Sequence, residues 1–196
     1  MTDRPFRYRA VAIGISTGGV ATLKPLLGAL PADFRLPILV VQHVSPDSGG
    51  RLALLLDRIC ALHVKEADEH DSPGGGTVYL APPNYHLLVE PDRRLGFSTD
   101  PPVNFARPSV DVLFETAADA YGGELVGVVL TGAGEDGARG LRRIKDKGGL
   151  AVIQDPADAV ARAMPQAALM AVKPDHLVTL AALPQLLIKL SEAKRS

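Results

Sequence analysis

Four short apolar runs constrain the fold of this chain most strongly. They begin at Val11, Ile38, Val126 and Val152, and none of them alternates between apolar and polar residues. A strand with one face in water alternates, whereas a strand buried on both faces of a parallel sheet reads as a continuous apolar run. Segments of helical periodicity separate these runs, and such strand–helix–strand repeats predict a doubly wound α/β sheet. We therefore expect three layers, with a mostly parallel sheet between helices on both faces.

The remaining segments complete this architecture. The predicted strands are Ala10–Ile15, Pro37–Gln42, Thr77–Ala81, Leu87–Val89, Leu125–Leu130, Ala151–Gln154 and Leu177–Thr179. The predicted helices are Gly18–Leu30, Gly49–Cys60, Val110–Tyr121, Ala138–Lys147, Pro165–Met170 and Leu183–Leu190. The stretch TVYLAPPNYHLLVEPDRRLGFS has Pro-Asn and Pro-Asp turns between short apolar runs, which predicts a short antiparallel hairpin or meander. No repeat or linker composition divides the chain, so we expect residues 1–196 to form one domain with its core at about residues 9–190.

The composition excludes several classes of function. The formal net charge is −1, which provides no general electrostatic attraction to nucleic acid or to an anionic membrane. No apolar run reaches the roughly 18 residues that span a bilayer, and the N-terminal segment lacks the apolar core of a signal peptide, so we expect a cytoplasmic protein. Cys60 is the only cysteine, and no two histidines have zinc-ligand spacing. We therefore expect neither an intramolecular disulfide nor a bound metal.

Reactive side chains follow three of the predicted strands. Ser16 stands in GISTGG after the first strand, His43 in VVQHVSP after the second, and Glu135 and Asp136 in LTGAGEDGARG after the Leu125 strand. The carboxyl ends of parallel strands meet at one edge of the sheet, where open α/β sheets bind their ligands. A hydroxyl, an imidazole and a carboxylate at one edge are typical of a nucleophile, its general base and the acid that orients the base. Asp136 has the shorter and stiffer reach, but the residues alone leave the choice between it and Glu135 open.

Ser16 by itself fits more than one role. A serine in a glycine-rich turn is most often a turn residue or a helix cap. Here Gly18 and Gly19 leave room for a substrate, and the helix that follows offers free N–H groups at its positive end, where an oxyanion can be held. Thr17 is typical of a cap, and its N–H is also a candidate oxyanion donor. His86, in PPNYHLLVE, fits a structural role better than a catalytic one.

A competing pattern occurs in the LTGAGEDGARG loop. Gly132, Gly134 and Gly137 satisfy G-x-G-x-x-G between a strand and a helix, and Asp155 lies near the position of a ribose-binding acid. The two acidic residues of the same loop argue against a dinucleotide, because even a screened carboxylate a few ångströms from a phosphate repels it by about 4 kcal/mol. The N-terminal GISTGGVATLK also lacks the spacing of a P-loop. We therefore expect no cofactor.

Five blocks of sequence, in order, resemble the catalytic domain of the chemotaxis protein-glutamate methylesterases (CheB type). They are GISTGG, VVQH, RPSVDVLFETAA, VVLTGAGEDGARG with its downstream IKDKGG, and IQDPADAVARAMPQAAL, and they span about residues 11–190. The resemblance implies a serine hydrolase that cleaves glutamyl γ-methyl esters on the cytoplasmic helices of bacterial chemoreceptors and releases methanol. Many members of that family also deamidate receptor glutamines. By motif, the resemblance implies Ser16 as the nucleophile, His43 as the base and Asp136, rather than its acidic neighbour, as the orienting acid.

The chain departs from that family's usual pattern in four ways, one of which is Val44 after Q-H, where methionine is usual. Ala133 stands where the L-T-G-M-G motif has methionine, and Val20 follows S-T-G-G where proline is common. That methionine lines the site in the family, so we expect Ala133, together with Thr17 and Gly18, to line a modified substrate pocket. The family also places a receiver domain and a linker before the catalytic domain. Here the chain begins almost at the first strand, which indicates either a stand-alone hydrolase or one domain of a longer protein.

The resemblance also implies partners. A methylated receptor helix is acidic, so Arg107, Arg139 and Arg142, near the predicted strand ends, are candidates to contact it. We expect a monomer that binds chemoreceptor helices, does not bind nucleic acid and does not insert into a membrane. The alternative is a non-catalytic module of the same fold that binds receptors or a kinase. An ester-turnover assay distinguishes the two.

Overall fold

The computed structural model describes residues 6–43 and 50–194, and its central element is a parallel sheet flanked by helices. The strands are β1 (Ala10–Ile15), β2 (Ile38–Gln42), β3 (His63–Glu66), β4 (Thr77–Leu80), β5 (His86–Val89), β6 (Leu95–Ser98), β7 (Leu125–Val129), β8 (Leu150–Gln154) and β9 (His176–Val178). The α-helices are α1 (Gly19–Gly28), α2 (Arg51–Asp57), α3 (Val110–Tyr121), α4 (Ala138–Asp146), α5 (Ala163–Ala171) and α6 (Leu183–Glu192), and a 3₁₀ turn covers Gly122–Glu124.

Seven of these strands form one sheet in the order β3-β4-β2-β1-β7-β8-β9. Every neighbouring pair in it is parallel. The other two strands, β5 and β6, form a separate antiparallel hairpin. The predicted doubly wound α/β fold with a short hairpin is therefore confirmed.

The two faces of the sheet bury two separate cores, and β1 contributes to both. Val11, Ile13 and Ile15 pack with residues of α1, α2 and α6 on one face. Ala10 and Ala12 pack with residues of α3, α4, α5 and the hairpin on the other face. Both sets are fully buried. This two-sided burial is the physical reason that the strand sequence is apolar without alternation.

A glycine in β1 brings the start of α3 close to the sheet. A Cβ at Gly14 would overlap with the side chain of Val110, the first residue of α3. The absence of a side chain at this position therefore lets the N-terminus of α3 lie directly against the carboxyl end of β1. This contact determines where the hydrogen-bond donors at the beginning of α3 are placed.

The structure corrects the interpretation of the middle of the chain. The Thr77 strand does not belong to a hairpin or meander, since β4 pairs in parallel with both β2 and β3. The strand β3 was not predicted, because HVKE is a four-residue edge strand without an apolar run. The predicted second helix is shorter than expected at both ends: it runs over Arg51–Asp57, and Gly49 lies outside the described residues.

Three further observations concern the classes of protein considered above. In residues 6–43 and 50–194, no helix is long and apolar enough to cross a bilayer. Across the same residues, no three or more His, Cys, Asp or Glu side chains are arranged so that they could hold a metal ion. Cys60 is a free, half-buried thiol, and burial raises its pKa.

Candidate active site

The winding of the sheet changes direction between β1 and β7, and the candidate residues lie at this point. The chain passes from β1 through α1 to β2 on one side, and from β7 through α4 to β8 on the other. In open α/β sheets, ligands bind in the crevice at the carboxyl ends of such a pair of strands. Ser16 directly follows β1, His43 directly follows β2, and Asp136 lies in the loop between β7 and α4.

The three side chains form a continuous hydrogen-bonded chain. Nδ1 of His43 lies 3.1 Å from Oγ of Ser16, and Nε2 of His43 lies 2.7 Å from Oδ2 of Asp136. Asp136 is buried, whereas the His43 side chain is 20% exposed and thus open to a substrate. Glu135, the other acidic residue considered for this role, is exposed on the surface of the same loop.

The ring of His43 has a defined tautomer in this arrangement. An ionised carboxylate can only accept hydrogen bonds, so the nitrogen that faces Asp136 must carry the proton. Nε2 therefore donates to Asp136, and the lone pair of the neutral imidazole is on Nδ1, directed at the hydroxyl of Ser16. Such a ring is prepared to accept the Ser16 proton.

The carboxylate of Asp136 receives hydrogen bonds from the beginning of α3 as well as from His43. Its donors, besides His43, are Asn104 Nδ2 (2.9 Å), Ser109 Oγ (2.9 Å), Val110 N (2.7 Å) and Asp111 N (3.0 Å). Burial opposes its ionisation, but the hydrogen bonds from His43, Asn104 and the α3 backbone outweigh burial and lower the pKa of Asp136. Asp136 is therefore ionised at neutral pH, as the tautomer of His43 requires.

A second buried carboxylate completes a reciprocal arrangement between α3 and α4. A carboxylate in the first turn of a helix is ordinarily explained by the dipole of that helix. Asp111, in the first turn of α3, instead accepts the N–H groups of Gly137 at 3.0 Å and Gly140 at 2.7 Å, at the beginning of α4. Asp136, just before α4, in turn accepts the first N–H groups of α3. Asp111, which belongs to α3, therefore caps α4, and Asp136, which precedes α4, caps α3.

The amide of Asn104 connects these two carboxylates. Its Nδ2 donates to Oδ2 of Asp111 and to Oδ1 of Asp136, both at 2.9 Å. Burial and the neighbouring charge of Asp136 raise the pKa of Asp111, while the hydrogen bond from Gly140 opposes that rise. The Asn104 amide therefore stabilises two like charges that would otherwise repel each other.

The backbone of the nucleophile candidate is connected to that of the base. Nε2 of Gln42 donates to the carbonyl oxygens of Ser16 and His43, both at 2.9 Å. A Cβ at Gly19 would overlap with the Gln42 side chain, so the glycine at this position is a packing requirement. Oε1 of Gln42 is buried with no hydrogen-bond partner among the described residues. Gln42 thus fixes the distance between the loops that carry Ser16 and His43.

Free N–H groups stand next to Ser16. Within the described part of the chain, the N–H groups of Thr17 and Gly18 make no hydrogen bond. Both residues precede the first turn of α1, whose N-cap is Gly18 with φ of 84° and no capping side chain. Uncapped N–H groups at the positive end of a helix are suitable donors for an oxyanion. A side chain at Gly18 would be strained by that positive φ and would contact Val160.

The site opens into a cleft on each side of His43. The cleft on the Asp136 side has a volume of about 440 Å³ and includes Asn84, Phe105, Arg107 and Ala133 in its lining. The cleft on the Ser16 side has a volume of about 620 Å³, and its lining includes Ser16, Gly18, Val20, Arg51 and Leu55. Ala133, an expected lining residue, is exposed at the first cleft.

The three candidate arginines do not all reach the site. Arg107 lines the first cleft, and its guanidinium donates to Oδ1 of Asn84 and to the carbonyl oxygens of Thr99 and Asp100. Arg139 pairs with Glu115 of α3 and lies 3.7 Å from Oδ2 of the buried Asp111, and Arg142 pairs with Asp146 within α4. Of the three, Arg107 is therefore the one that borders the cleft.

Two glycines of the LTGAGEDGARG loop have hydrogen-bonding and packing roles at the site. The N–H of Gly137 donates to Asp111, and the N–H of Gly132 donates to the carbonyl oxygen of Ala161. A Cβ at Gly132 would overlap with Met164 and lie 2.9 Å from Cβ of Ser16. The loop thus brings Asp136 to His43 and allows close packing beside Ser16, which accounts for Gly132 and Gly137.

Several residues that support the site escape interpretation from the sequence. Gln42, Asn104 and Ser109 are ordinary polar residues until the loops are brought together. Asn104 and Ser109 stand in PPVNFARPSVD, just before a helix, where residues that cap a helix are common, whereas Gln42 stands at the end of a strand without such a signal. His86 has the expected structural role: it is buried, its Nδ1 accepts the N–H of Ser109, and its Nε2 donates to the carbonyl oxygen of Pro101.

Comparison with known proteins identifies close relatives of the chain. A model of the family described as CheB methylesterase matches residues 11–187. A relative from Leptospira interrogans serovar copenhageni, provisionally named protein-glutamate methylesterase/protein-glutamine glutaminase, is 46% identical over 185 residues, which are 94% of this chain and 96% of the relative. The protein-glutamate methylesterase/protein-glutamine glutaminase 1 of Cupriavidus pinatubonensis is 44% identical over 160 residues, which cover 82% of this chain and 47% of that protein.

A solved structure shows the same fold. The crystal structure of the Thermotoga maritima CheB methylesterase catalytic domain superposes with a TM-score of 0.89 and 34% sequence identity, over 93% of this chain and 98% of that one. The chain therefore spans nearly the whole of that solved domain and of the Leptospira relative, and about half the length of the Cupriavidus relative.

Proposed function

The chain belongs to the CheB methylesterase family, and we propose on this basis that it is a protein-glutamate methylesterase that uses Ser16 as its nucleophile. Its substrates in this proposal are glutamyl γ-methyl esters on the cytoplasmic helices of chemoreceptors, and its role is adaptation in chemosensory signalling. The names of its relatives add protein glutamine as a second substrate, and in this proposal the same site deamidates receptor glutamines to glutamate. The enzyme acts in the cytoplasm as a monomer.

One observation carries the proposal: the hydrogen-bonded chain from Ser16 through His43 to Asp136, with distances of 3.1 Å and 2.7 Å. A serine hydroxyl has little nucleophilicity unless a base within hydrogen-bond distance takes its proton. Nδ1 of His43 is within that distance, and the buried carboxylate of Asp136 holds the ring in the tautomer that can accept the proton. These are the roles that a nucleophile, a base and an orienting acid require.

Acylation begins when Ser16 transfers its proton to Nδ1 of His43 and its oxygen attacks the γ-carbonyl carbon of the ester. The carbonyl oxygen becomes an oxyanion, for which the free N–H groups of Thr17 and Gly18 are the candidate donors. The imidazolium of His43 is stabilised by the charge of Asp136 at this stage. When the intermediate collapses, the C–O bond to the methoxy group breaks, and methanol leaves with the proton from His43.

Deacylation repeats these steps with water. His43 takes a proton from a water molecule, the resulting hydroxide attacks the glutamyl ester of Ser16, and Ser16 regains its proton from His43. The products are a glutamate carboxyl group and the free enzyme. With a glutamine substrate the first leaving group is ammonia rather than methanol, and the second half of the reaction is the same.

The direct test compares Ser16→Ala with wild type in a methanol-release assay on methylated chemoreceptor. Ser16 is half-buried, and within the part of the chain that the structure describes its hydroxyl hydrogen-bonds to His43 alone, so the variant should fold with an unchanged thermal midpoint and lose activity by several powers of ten. Ser72→Ala, at an exposed serine before β4, is the matched control and should retain full activity. Retention of more than a tenth of the wild-type rate by Ser16→Ala would exclude Ser16 as the nucleophile. A folded wild-type chain without turnover would favour the non-catalytic receptor- or kinase-binding module.

A further inference from the structure

Phe105 is the most exposed large apolar residue near the site. Its relative exposure is 104%, and it borders the cleft that also contains His43 and Ala133. A phenylalanine is ordinarily buried, because exposing its ring to water is unfavourable. Its position at the mouth of an active-site cleft therefore needs an explanation from function rather than from folding.

The backbone holds Phe105 outward in an unfavourable conformation. Asn104 has φ of 51° and Phe105 has φ of 62°, values that residues with a Cβ seldom adopt. The turn is closed by a pair of backbone hydrogen bonds between Val103 and Ala106. It is also tethered at Asn104, whose amide binds Asp111 and Asp136. Such conformations persist where the surrounding structure fixes them, and they cluster at functional sites.

Other exposed apolar side chains lie around the same site. Val20 is 47% exposed, Leu55 is 46% exposed and Val160 is 71% exposed. Val20 and Leu55 line the cleft on the Ser16 side, and Val160 stands beside Gly18. Together with Phe105 they form an apolar rim (Val20, Leu55, Phe105 and Val160) on both sides of His43. A single methyl ester is too small to touch both sides of this rim, whereas the surface of a protein substrate can.

Charges at the two clefts add a second criterion for the partner. Arg51 is the one formally charged side chain described at the cleft on the Ser16 side. The other cleft has Arg107 beside the carboxylates of Glu135 and Asp136, so the acidic groups of a partner fit the Arg51 side. A partner that fits both features carries apolar side chains beside acidic ones. An amphipathic helix that bears the glutamyl ester, with unmodified glutamates near it, has this composition on one surface.

We propose that Phe105 is a specificity-determining residue that packs against an apolar side chain of the helix carrying the ester, and so selects a protein substrate over a free ester. This inference rests on the proposed function and names the part of the site that recognises the protein. Phe105 takes no part in the chemical step. Its contribution is to hold the helix while Ser16 reaches the ester carbonyl.

The test measures Phe105→Ala on two substrates: a methylated chemoreceptor cytoplasmic fragment and a small activated ester. The helix would bury the Phe105 ring in the complex, and loss of this contact is expected to lower kcat/KM on the fragment by about 10- to 100-fold, mainly through KM. The rate on the small ester should change by less than about threefold, because that substrate does not reach the rim. Phe105→Leu, which keeps an apolar side chain, should restore most of the activity on the fragment. Met170→Ala, which removes a 90% exposed apolar side chain that lines neither cleft, is the control and should leave both rates unchanged.

Each other outcome overturns the inference. Equal losses on both substrates would mean that Phe105 acts through the Asn104 tether and not through the substrate. Equal activity of Phe105→Ala and wild type on the fragment would remove any role in recognition. A wild-type dimer in sedimentation that Phe105→Ala dissociates would assign the rim to self-association. Failure of the proposed function itself is distinguishable, because the wild-type enzyme would then hydrolyse neither substrate.

Discussion

The substitution Asp136→Asn tests the link between the carboxylate and the tautomer of His43. The side chain keeps its shape, but one oxygen becomes an NH₂ group that can only donate. Every neighbour of Asp136 described above is also a donor, three at Oδ1 and two at Oδ2. The NH₂ group therefore faces a donor wherever it is placed. The NH₂ group is less unfavourable at the position of Oδ2, because His43 can move its proton from Nε2 to Nδ1. Nε2 can then accept a hydrogen bond from the NH₂ group.

Two magnitudes follow from this geometry. With the proton on Nδ1, His43 donates to Ser16 and cannot accept its proton, so the expected loss in kcat is on the order of 10⁴-fold. The N–H of Val110 then faces the NH₂ group, and an unsatisfied buried donor together with the lost charge at the N-terminus of α3 destabilises the fold by about 2–4 kcal/mol. For a chain of this size that corresponds to a thermal midpoint lower by roughly 5–15 °C.

The assay combines methanol release, thermal unfolding and ¹⁵N NMR of the imidazole. We expect the His43 proton on Nε2 in the wild type and on Nδ1 in Asp136→Asn. Glu135→Gln, which removes the exposed neighbouring carboxylate, is the matched control and should change neither the rate nor the midpoint appreciably. A folded Asp136→Asn enzyme within tenfold of the wild-type rate, or with the proton still on Nε2, would refute the reasoning.

Three further predictions concern other parts of the site. Gln42→Ala removes the hydrogen bond that joins the end of β2 to the Ser16 loop and a second one to the carbonyl oxygen of its neighbour His43, so we expect it to lower the free energy of unfolding by about 2 kcal/mol in urea titrations and kcat by at least tenfold; an unchanged kcat would contradict the positioning role. The lowered pKa of Asp136 means that, just below the ordinary aspartate value of about 3.9, the unfolded state binds more protons than the folded state. As the pH is lowered through this range, the free energy of unfolding of the wild type should therefore decrease more steeply than that of Asp136→Asn. Parallel curves of unfolding free energy against pH would contradict the lowered pKa of Asp136. Ala133→Met adds apolar surface at the cleft and should lower KM for the methylated fragment severalfold with kcat within about threefold, whereas a raised KM would show that the cleft is too narrow for it.

The sequence predicted the features of this fold that depend on burial and strand order. Continuous apolar runs indicated strands covered on both faces, and β1 has the predicted bounds, Ala10–Ile15. The helix α3 also has its predicted bounds, Val110–Tyr121. The convergence of Ser16, His43 and the acidic loop follows from topology alone, because the carboxyl ends of neighbouring parallel strands lie at one edge.

Features that depend on tertiary packing were not predictable. Edge strand β3 has no apolar run, and the membership of β4 in the parallel sheet depends on its partners β2 and β3 rather than on its own residues. The exchange of caps between α3 and α4 depends on how the two helices approach each other, so Asp111 gave no sign of its role at Gly137 and Gly140. The same holds for Gln42, whose hydrogen bond to the carbonyl oxygen of Ser16 exists only once the two loops meet.

The central claim is that Ser16 is a nucleophile activated by His43, and a covalent probe tests it most directly. The enzyme is treated with a fluorophosphonate, digested, and mapped by mass spectrometry, in wild type and in His43→Ala. The account predicts a single phosphonyl adduct on Ser16 in the wild type, loss of methanol release in proportion to labelling, and no labelling in His43→Ala. An adduct on another residue, or full methanol release from an enzyme labelled completely at Ser16, would contradict it.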